Sequence, residues 1–198
     1  MNIPIIYEDD WLVIVDKPSG LLVIPTPKKE NRTLTSILNL HPCHRLDRET
    51  SGLIIYAKGK SVQKQMMELF FQRQVKKNYL AFVQGKLPQR NGVIKSTIEG
   101  KPAQTHYAVL EERKDFSIVK VIPVTGRKNQ IRIHFKSIGH PIVGESKFAF
   151  RKDFALKAKR VCLHANYLEF LHPVTKKMLQ VEAKLAADME QFLNSHPN

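Results

Sequence analysis

Short apolar or alternating runs recur along the chain, and they predict β-strands rather than long helices. Each run is bounded by glycine, proline or charged residues, which are typical of turns. The predicted strands are WLVIV (11–15), LLVIP (21–25), LIIYA (53–57), KNYLAFVQG (77–85), PAQTHYAVLEE (102–112) and FSIVKVIPV (116–124). Further along, VCLHANYLEFLHP (161–173) and KKMLQVEA (176–183) predict a hairpin that turns near Pro173.

Apolar positions at helical spacing predict three helices. The first, TLTSILNL (33–40), is short and stops before Pro42. The second begins near Ser61, whose side chain is a suitable N-cap, and the third lies close to the C-terminus. Their apolar faces are Val62, Met66, Leu69 and Phe70 in the second helix and Leu185, Met189, Phe192 and Leu193 in the third.

One segment, GRKNQIRIHFKSIGHP (126–141), fits two patterns. Alternation of Ile131, Ile133 and Phe135 indicates a strand, whereas the spacing from Ile131 through Phe135 to Ile138 indicates a helix. We favour the helix, because a glycine directly follows the last apolar position, and helices commonly stop at such a glycine.

Several of the predicted strands follow one another without an intervening helix. This order favours an α+β fold with a central, mostly antiparallel β-sheet flanked by helices and loops, and it argues against a doubly wound parallel sheet. Because no repeat, low-complexity tract or linker interrupts the pattern, we expect residues 1–198 to form a single domain.

The net charge is more informative about binding partners than the overall composition is. The 198 residues are 42% hydrophobic, an ordinary globular value, but 32 Lys and Arg oppose 18 Asp and Glu, for a formal net charge of +14. The cations are concentrated at 126–136 and 151–160. Such an excess points to nucleic acid as the first candidate partner and to an anionic membrane surface as the second.

The remaining global features indicate a reducing, cytoplasmic environment. Cys43 and Cys162 match neither a disulfide framework nor a metal-ligand spacing. MNIPIIYEDD lacks the basic and apolar regions of a signal peptide, and no apolar run approaches the roughly 20 residues of a membrane helix. We expect a monomer without membrane association.

The segment HPCHRLDRETSGLIIYAK (41–58) contains the first candidate for chemistry. Asp47 lies between Arg45 and Arg48, in a loop that leads directly into an apolar strand. Most such aspartates form weak surface ion pairs. At the edge of a core, however, a nearby guanidinium would keep the carboxylate ionised, as a nucleophile or general base requires at neutral pH.

Other chemistries find less support. HRLD differs from the HRD of kinases by an inserted leucine, and neither a phosphate-covering glycine loop nor DFG is present. KPSG (17–20) resembles a loose phosphate-binding turn, but GxxxxGK[ST] and dinucleotide motifs are absent. The histidines show no recognised ligand spacing and the later basic segments hold few carboxylates, so we expect chemistry without a metal or a nucleotide.

Two basic or aromatic features have more than one interpretation. Tyr79 could be a core residue or could stack on an unpaired base, and the sequence favours neither. Arg127, Arg132 and Lys136 could form a solvated basic face. Alternatively, one of these arginines pairs with Asp47 while the other cations bind phosphates.

Taken in order along the chain, several segments resemble the RluA family of pseudouridine synthases. The most specific is HRLDRETSG (44–52), followed in register by the GRxxQIRxH element at 126–134. The resemblance extends over nearly the whole chain through DKPSGLLVIP, KKNYLAFVQG, GKPAQTHY and VCLHANYLEFLHP. Each segment is weakly specific by itself, but the ordered set is highly specific.

The resemblance implies an RNA pseudouridine synthase, an isomerase that converts uridine to pseudouridine in structured ribosomal or transfer RNA without cofactor or metal. Asp47 matches the essential aspartate of the family. Three roles are considered for it: attack on C1′ of the ribose, attack on C6 of the base, or removal of the C2′ proton. The sequence leaves these three open.

The resemblance also implies roles for residues that act with Asp47. Arg45 would help displace the target base from its stack, which costs a few kcal/mol. Tyr79 would lie against that base, and Arg132 would pair with Asp47.

Further residues match the family less directly. Leu163 would belong to an apolar pocket element, and Arg127 and Lys136 are candidates for RNA contacts. The family usually has histidine where this chain has Asn129, so RNA contact or local hydrogen bonding could differ here while the activity is still expected.

The family fold is a mostly antiparallel sheet with helices and loops around it and a deep cleft for RNA. We expect no separate N-terminal RNA-binding domain of the S4 type. The alternative to an enzyme is a non-catalytic protein that binds or folds RNA. A DNA-binding function rests on charge alone, so we expect RNA and not DNA as the partner.

Overall fold

The computed structural model describes residues 3–26, 30, 32–149, 156 and 158–197. Most of the basic segment predicted at 151–160 lies outside these residues. The strands are β1 (Ile5–Glu8), β2 (Leu12–Lys17), β3 (His41–Pro42), β4 (Ser51–Ala57), β5 (Lys76–Gln84), β6 (Asn91–Ile98), β7 (Lys101–Glu112), β8 (Phe116–Pro123), β9 (Leu163–Leu171) and β10 (Met178–Glu182). The helices are α1 (Leu34–Leu38), α2 (Lys60–Phe71), α3 (Gln130–Ser137) and α4 (Ala187–Ser195).

The first of two compact units comprises Met1–Lys77 and Ala165–Lys184. Its strands run in the order β1, β2, β4, β9, with β3 paired to β4 and β10 paired to β9. The pairs β1–β2, β2–β4, β3–β4 and β9–β10 are antiparallel. The predicted hairpin near Pro173 is therefore confirmed, and α2 covers this unit's core with Val62 and Met66, as its apolar spacing predicts.

The second compact unit comprises Asn78–His164 and Leu185–Asn198. Its strands run in the order β5, β8, β7, β6, and all three pairs are antiparallel. Ile131 and Phe135 of α3 and Met189 and Phe192 of α4 pack into its apolar core. Both units thus combine antiparallel strands with helices, which confirms the predicted α+β class.

The prediction of a strand at LLVIP (21–25) is wrong, because these residues do not form a strand. This segment instead caps the start of α1, because Leu22 and Val23 accept hydrogen bonds on their carbonyl oxygens from the backbone N–H groups of Leu34 and Thr35, at 2.7 and 3.1 Å. The first N–H groups of a helix have no partner within the helix. The carbonyl groups of Leu22 and Val23 bond these N–H groups and not a neighbouring strand. Sequence periodicity does not distinguish these two uses of an apolar run.

Helix boundaries also differ from the predicted ones. The N-cap of α2 is Gly59 rather than Ser61, which lies inside the helix. The segment at 126–141 is helical, as we favoured, but α3 begins only at Gln130. The reason is that Asn129 adopts a left-handed conformation, with φ +54°, which an α-helix cannot include. The strands β1, β3 and β6 are not predicted by the sequence pattern.

Gly52 provides a test of how closely β4 and β9 approach. Its φ is +113°, and a Cβ atom at this position would lie 2.2 Å from the carbonyl oxygen of Ala165. We therefore expect Gly52→Ala to lower the free energy of unfolding by at least about 2 kcal/mol, through strain and overpacking. Urea denaturation measures this loss.

Gly59→Ala is the matched control, because its φ is −150° and a Cβ there has nothing within 4 Å. We expect it to cost less than about 1 kcal/mol. Equal losses from the two variants would show that backbone approach at Gly52 is not what requires glycine.

Candidate active site

Asp47 lies in the loop that joins β3 to β4 in the first unit. Its side chain is partly buried, the preceding Leu46 is buried, and Arg45 is exposed. A turn after Asp47 is closed by a hydrogen bond from the N–H of Thr50 to the Asp47 carbonyl oxygen, at 3.1 Å. The sequence prediction that this aspartate lies at the edge of a core is confirmed by its burial.

His44 connects the start of this loop to β4. Its Nε2 accepts a hydrogen bond from the backbone N–H of Ile55 at 3.0 Å, while the N–H of Cys43 donates to the Ile55 carbonyl at 2.9 Å. The ring also lies 4.4 Å from the ring of Phe70 in α2. Burial, reinforced by the positive charge of Lys77, lowers the pKa of His44 to about 3. The neutral ring, with its proton on Nδ1, is therefore an acceptor that positions the loop.

The lowered pKa of His44 predicts a pH dependence of stability. The unfolded chain takes up a proton at His44 below pH 6.5 and the folded chain does not, so stability should fall as the pH drops from 6.5 towards the folded pKa. The expected slope from this group is at most about 1.4 kcal/mol per pH unit. Urea denaturation across this range should show a shallower slope for His44→Gln than for the wild type, and equal slopes would contradict the prediction.

Lys17, at the end of β2, links the 17–21 segment to the Asp47 loop. Its ammonium group is fully buried and donates hydrogen bonds to the carbonyl oxygens of Pro18, Leu21 and Arg48, at 2.9, 2.8 and 3.1 Å. The N–H of Gly20 donates to the same Arg48 carbonyl at 2.8 Å. The KPSG turn thus uses its lysine to hold the Asp47 loop, a role that its likeness to a phosphate-binding turn did not reveal.

Two more side chains secure the distal part of the loop. Ser19 donates through its hydroxyl to the Glu49 carbonyl at 2.7 Å. Arg48 forms an ion pair with Glu30, so the second arginine beside Asp47 has a carboxylate partner of its own. Contacts from the 17–21 segment, from β4 and from Glu30 therefore converge on the loop of eight residues between β3 and β4, 43–50, and restrict its backbone.

In the second unit, Arg132 of α3 is buried and paired with Glu145. Its Nε and Nη2 donate to the two carboxylate oxygens at 2.6 and 2.8 Å, and its Nη1 donates to the Asn129 side-chain oxygen at 3.1 Å. The Phe148 ring lies 5.1 Å from the centre of the guanidinium. Bidentate pairing of this kind fixes both the position and the plane of an arginine.

Glu145 is held ionised in this pair. Its burial would raise the pKa, but hydrogen bonds from Arg132 and from the backbone N–H groups of Lys147 and Phe148 outweigh that effect and lower it. Glu145 is not among the site residues that the sequence pattern predicts. A signal was present, since it is the one Asp or Glu between Asp115 and Asp153 in a basic stretch.

Asn129 and Gln130 explain how the start of α3 is built. Asn129 is buried in its left-handed conformation, which asparagine tolerates better than most residues, and it orients Arg132. The Gln130 side chain accepts from the hydroxyl of Thr125 at 2.6 Å and donates to Thr105 at 2.9 Å. These two polar residues therefore fix the helix against β7 and the loop after β8.

The other predicted residues of the second unit lie at different depths. Tyr79, in β5, is partly buried and packs against the core of this unit. Leu163 is buried at the start of β9, and its carbonyl oxygen accepts from Arg160 at 3.2 Å. Arg127, which precedes α3, and Lys136, in the last turn of α3, are both exposed and therefore accessible to a polyanion. The predicted pairing of Arg132 with Asp47 stays a prediction.

Among the described residues there is neither a metal-binding cluster nor a membrane-spanning helix. No cluster of three or more His, Cys, Asp or Glu side chains has an arrangement that could hold a metal ion. Within the same residues, no helix is both long and apolar enough to cross a bilayer.

Comparison with known proteins places this architecture in a family. Residues 11–137 match the family model described as RNA pseudouridylate synthase. The chain is 35% identical over 201 residues to the dual-specificity RNA pseudouridine synthase RluA of Pasteurella multocida, covering 90% of this chain and 91% of that protein. It is 33% identical to the ribosomal large subunit pseudouridine synthase C of Vibrio cholerae, covering 96% of this chain and 68% of that protein.

A solved structure gives the same result. The human RNA pseudouridylate synthase domain containing 4 superposes with a TM-score of 0.79 at 26% identity, covering 93% of this chain and 89% of that chain. The chain belongs to the RNA pseudouridylate synthase family. Within that family it is an isomerase of the RluA type that acts on RNA, which confirms the resemblance drawn from HRLDRETSG and the downstream segments.

Proposed function

We propose that this chain isomerises specific uridines to pseudouridine in structured ribosomal or transfer RNA, by flipping the target base and using Asp47 as the catalytic carboxylate. The observation that carries the proposal is the construction of the loop 43–50. His44 and Lys17 hold its backbone from two sides, and Asp47 is the partly buried carboxylate at its centre. Such restraint is what a catalytic group needs in order to meet its substrate in one geometry.

The reaction is balanced without any added reagent. The N1–C1′ bond of uridine breaks, the base rotates, a C5–C1′ bond forms, and C5 loses a proton while N1 gains one. An ionised carboxylate is suited to each of the three roles considered for Asp47, because each requires either a nucleophile or a base.

The remaining candidate residues are proposed to support Asp47. Arg45 is exposed beside it and suited to occupy the space that the flipped base vacates. Tyr79 is proposed to contact the base. Arg132 is proposed to pair with Asp47, and this is compatible with its bonds to Glu145, since a guanidinium has five N–H donors.

The exposed cations and the pocket residue complete the proposal. Arg127 and Lys136 are suited to bind RNA phosphates, and Leu163 is proposed to line the apolar part of the base pocket. Phosphate contacts of this kind add affinity that falls steeply with salt but carry little sequence information.

The direct test is incubation of the purified protein with unmodified transcripts of large-subunit ribosomal RNA and transfer RNA, followed by mapping of pseudouridines. We expect modification at discrete uridines in at least one of the two RNAs. Absence of pseudouridine from both would contradict the proposed substrates. Competition by DNA of matched length and salt should not prevent modification, because DNA lacks the folded substrate.

A further inference from the structure

The outer face of α2 presents an apolar and basic stripe to solvent. Lys60, Lys64, Met67 and Phe71 are all exposed, and their spacing places them along one line of the helix. We call these four residues the α2 stripe. Phe71 is 83% exposed and Met67 is 52% exposed, although Val62 and Met66 already supply the face that packs on the core.

Phe71 contrasts with the phenylalanine directly before it. Phe70 is partly buried and lies against His44, at the start of the Asp47 loop. Phe71 is rotated about 100° around the helix from Phe70 and has no comparable cover. An exposed helical position gains nothing from phenylalanine, which forms helices less readily than alanine, lysine or glutamine. Folding therefore does not account for an aromatic ring at this place.

Between Lys64 and Lys76, three cations and one acid flank Phe71 along the chain. Arg73 follows the helix in a left-handed turn with φ +59° and is exposed, and Lys64 lies two turns earlier along the stripe. Glu68 is the one acid in α2, and its carboxylate accepts a hydrogen bond from the Gln72 side chain at 2.6 Å. An exposed ring between cations is the combination that binds single-stranded nucleic acid, by stacking on a base and neutralising phosphates.

We propose that Phe71 stacks on an unpaired base of the substrate RNA while Lys64 and Arg73 bind the adjoining phosphates. The proposal rests on the proposed function and adds a second contact, made with a nucleotide other than the uridine to be modified. The family acts on RNA and the chain carries +14 charges, so RNA suits the α2 stripe better than a protein or lipid partner does. α2 would then support the Asp47 loop with one face and bind RNA with another.

The test compares Phe71→Ala and Phe71→Trp with Met178→Ala. Met178 is 60% exposed in β10 of the same unit, so it controls for loss of exposed apolar surface. The probes are a single-stranded oligoadenylate of about twelve nucleotides, within the usual site size, and an RNA duplex of the same length. We expect Phe71→Ala to weaken binding of the single strand by roughly tenfold and binding of the duplex by less than about twofold.

Retention of wild-type affinity by Phe71→Trp would identify stacking as the cause, because tryptophan keeps an aromatic face. Its fluorescence should be quenched by the single strand and not by the duplex. With unmodified RNA as substrate, Phe71→Ala should raise KM and leave kcat unchanged. Met178→Ala should match the wild type in every assay.

Two results would overturn the proposal: equal RNA affinity for Phe71→Ala and the wild type, or a wild-type dimer that Phe71→Ala converts to a monomer. The second result would make the stripe a contact between protein copies. Asp47→Ala separates this proposal from the proposed function, since it should abolish pseudouridine formation and keep the dependence of binding on Phe71. A wild type that binds RNA through Phe71 but forms no pseudouridine would refute the function alone.

Discussion

Replacing Asp47 by asparagine is expected to lower the rate of pseudouridine formation at least about a thousandfold while the protein remains folded. Asparagine has the same shape as aspartate but can be neither an anionic nucleophile nor a base. The contacts that hold the loop come from His44, Lys17 and Ser19, and none of the three requires the Asp47 charge. Single-turnover assays with excess enzyme measure the chemical step without the contribution of product release.

Glu49→Gln is the matched control for Asp47→Asn. Glu49 is a partly buried carboxylate two residues further along the same loop, and its replacement also removes one negative charge. We expect this control to change the single-turnover rate by less than about tenfold, since it removes no proposed catalytic group. Thermal melting and RNA affinity should be close to wild type for both variants.

Asp47→Ala extends the test, because it also removes the hydrogen-bonding group. Full activity in either Asp47 variant would show that this carboxylate is not the catalytic group. A loss of activity accompanied by wild-type melting and RNA binding would support the chemical role. Equal losses for Glu49→Gln and Asp47→Asn would indicate that the charge of the loop matters more than one carboxylate.

Replacing Glu145 by glutamine is expected to lower the free energy of unfolding by about 3–5 kcal/mol, because Arg132 would remain buried without a counter-ion. The side chains of Arg132 and Glu145 are 2% and 1% exposed, so water cannot replace the lost charge. Lys76→Gln is the control, since Lys76 is 74% exposed in its pair with Glu169. We expect that variant to cost less than about 1 kcal/mol, as surface ion pairs do. Urea denaturation of both variants checks the difference.

A double variant separates stability from function at the same pair. Arg132→Met together with Glu145→Leu removes both charges, and we expect it to regain part of the stability lost by Glu145→Gln, as apolar replacements of buried ion pairs often do. Pseudouridine formation should nevertheless be lost, because Arg132 is proposed to act with Asp47. If the double variant were stable and fully active, Arg132 would have no catalytic role. If Glu145→Gln were as stable as the wild type, the Arg132–Glu145 pair would have no structural role.

Lowering the pH should separate the contributions that Glu145 and His44 make to the free energy of unfolding. The pKa of Glu145 is lowered from 4.5, so its stabilising contribution is present above pH 4.5 and is lost as the pH falls through the lowered value. The contribution of His44 begins to fall at pH 6.5. In a plot of the free energy of unfolding against pH, Glu145→Gln should therefore flatten the slope below pH 4.5. His44→Gln should flatten the slope that begins at pH 6.5.

Local sequence sufficed for several elements of this protein. The apolar spacing of Val62 and Met66 predicted the buried face of α2, and the alternation in β7 and β8 predicted two strands. The neighbours of Asp47 made it a candidate, because the arginines and the following apolar run lie within a few residues of it, and the resemblance of HRLDRETSG to the family supplied its expected role. Such features depend on nearest neighbours, which a linear pattern records directly.

Contacts between distant parts of the chain required the folded structure. Lys17 donates to Arg48 across 31 positions, and Arg132 selects Glu145 across 13, although neither partner is marked by periodicity. LLVIP has the composition of a strand, yet its carbonyl groups bind the start of α1. Hydrogen-bond partners are chosen by which groups meet when the core packs, and burial makes an unpaired group costly. The aspartate could therefore be chosen as a candidate from the sequence, while the groups that hold its loop and orient Arg132 became evident only from the packed chain.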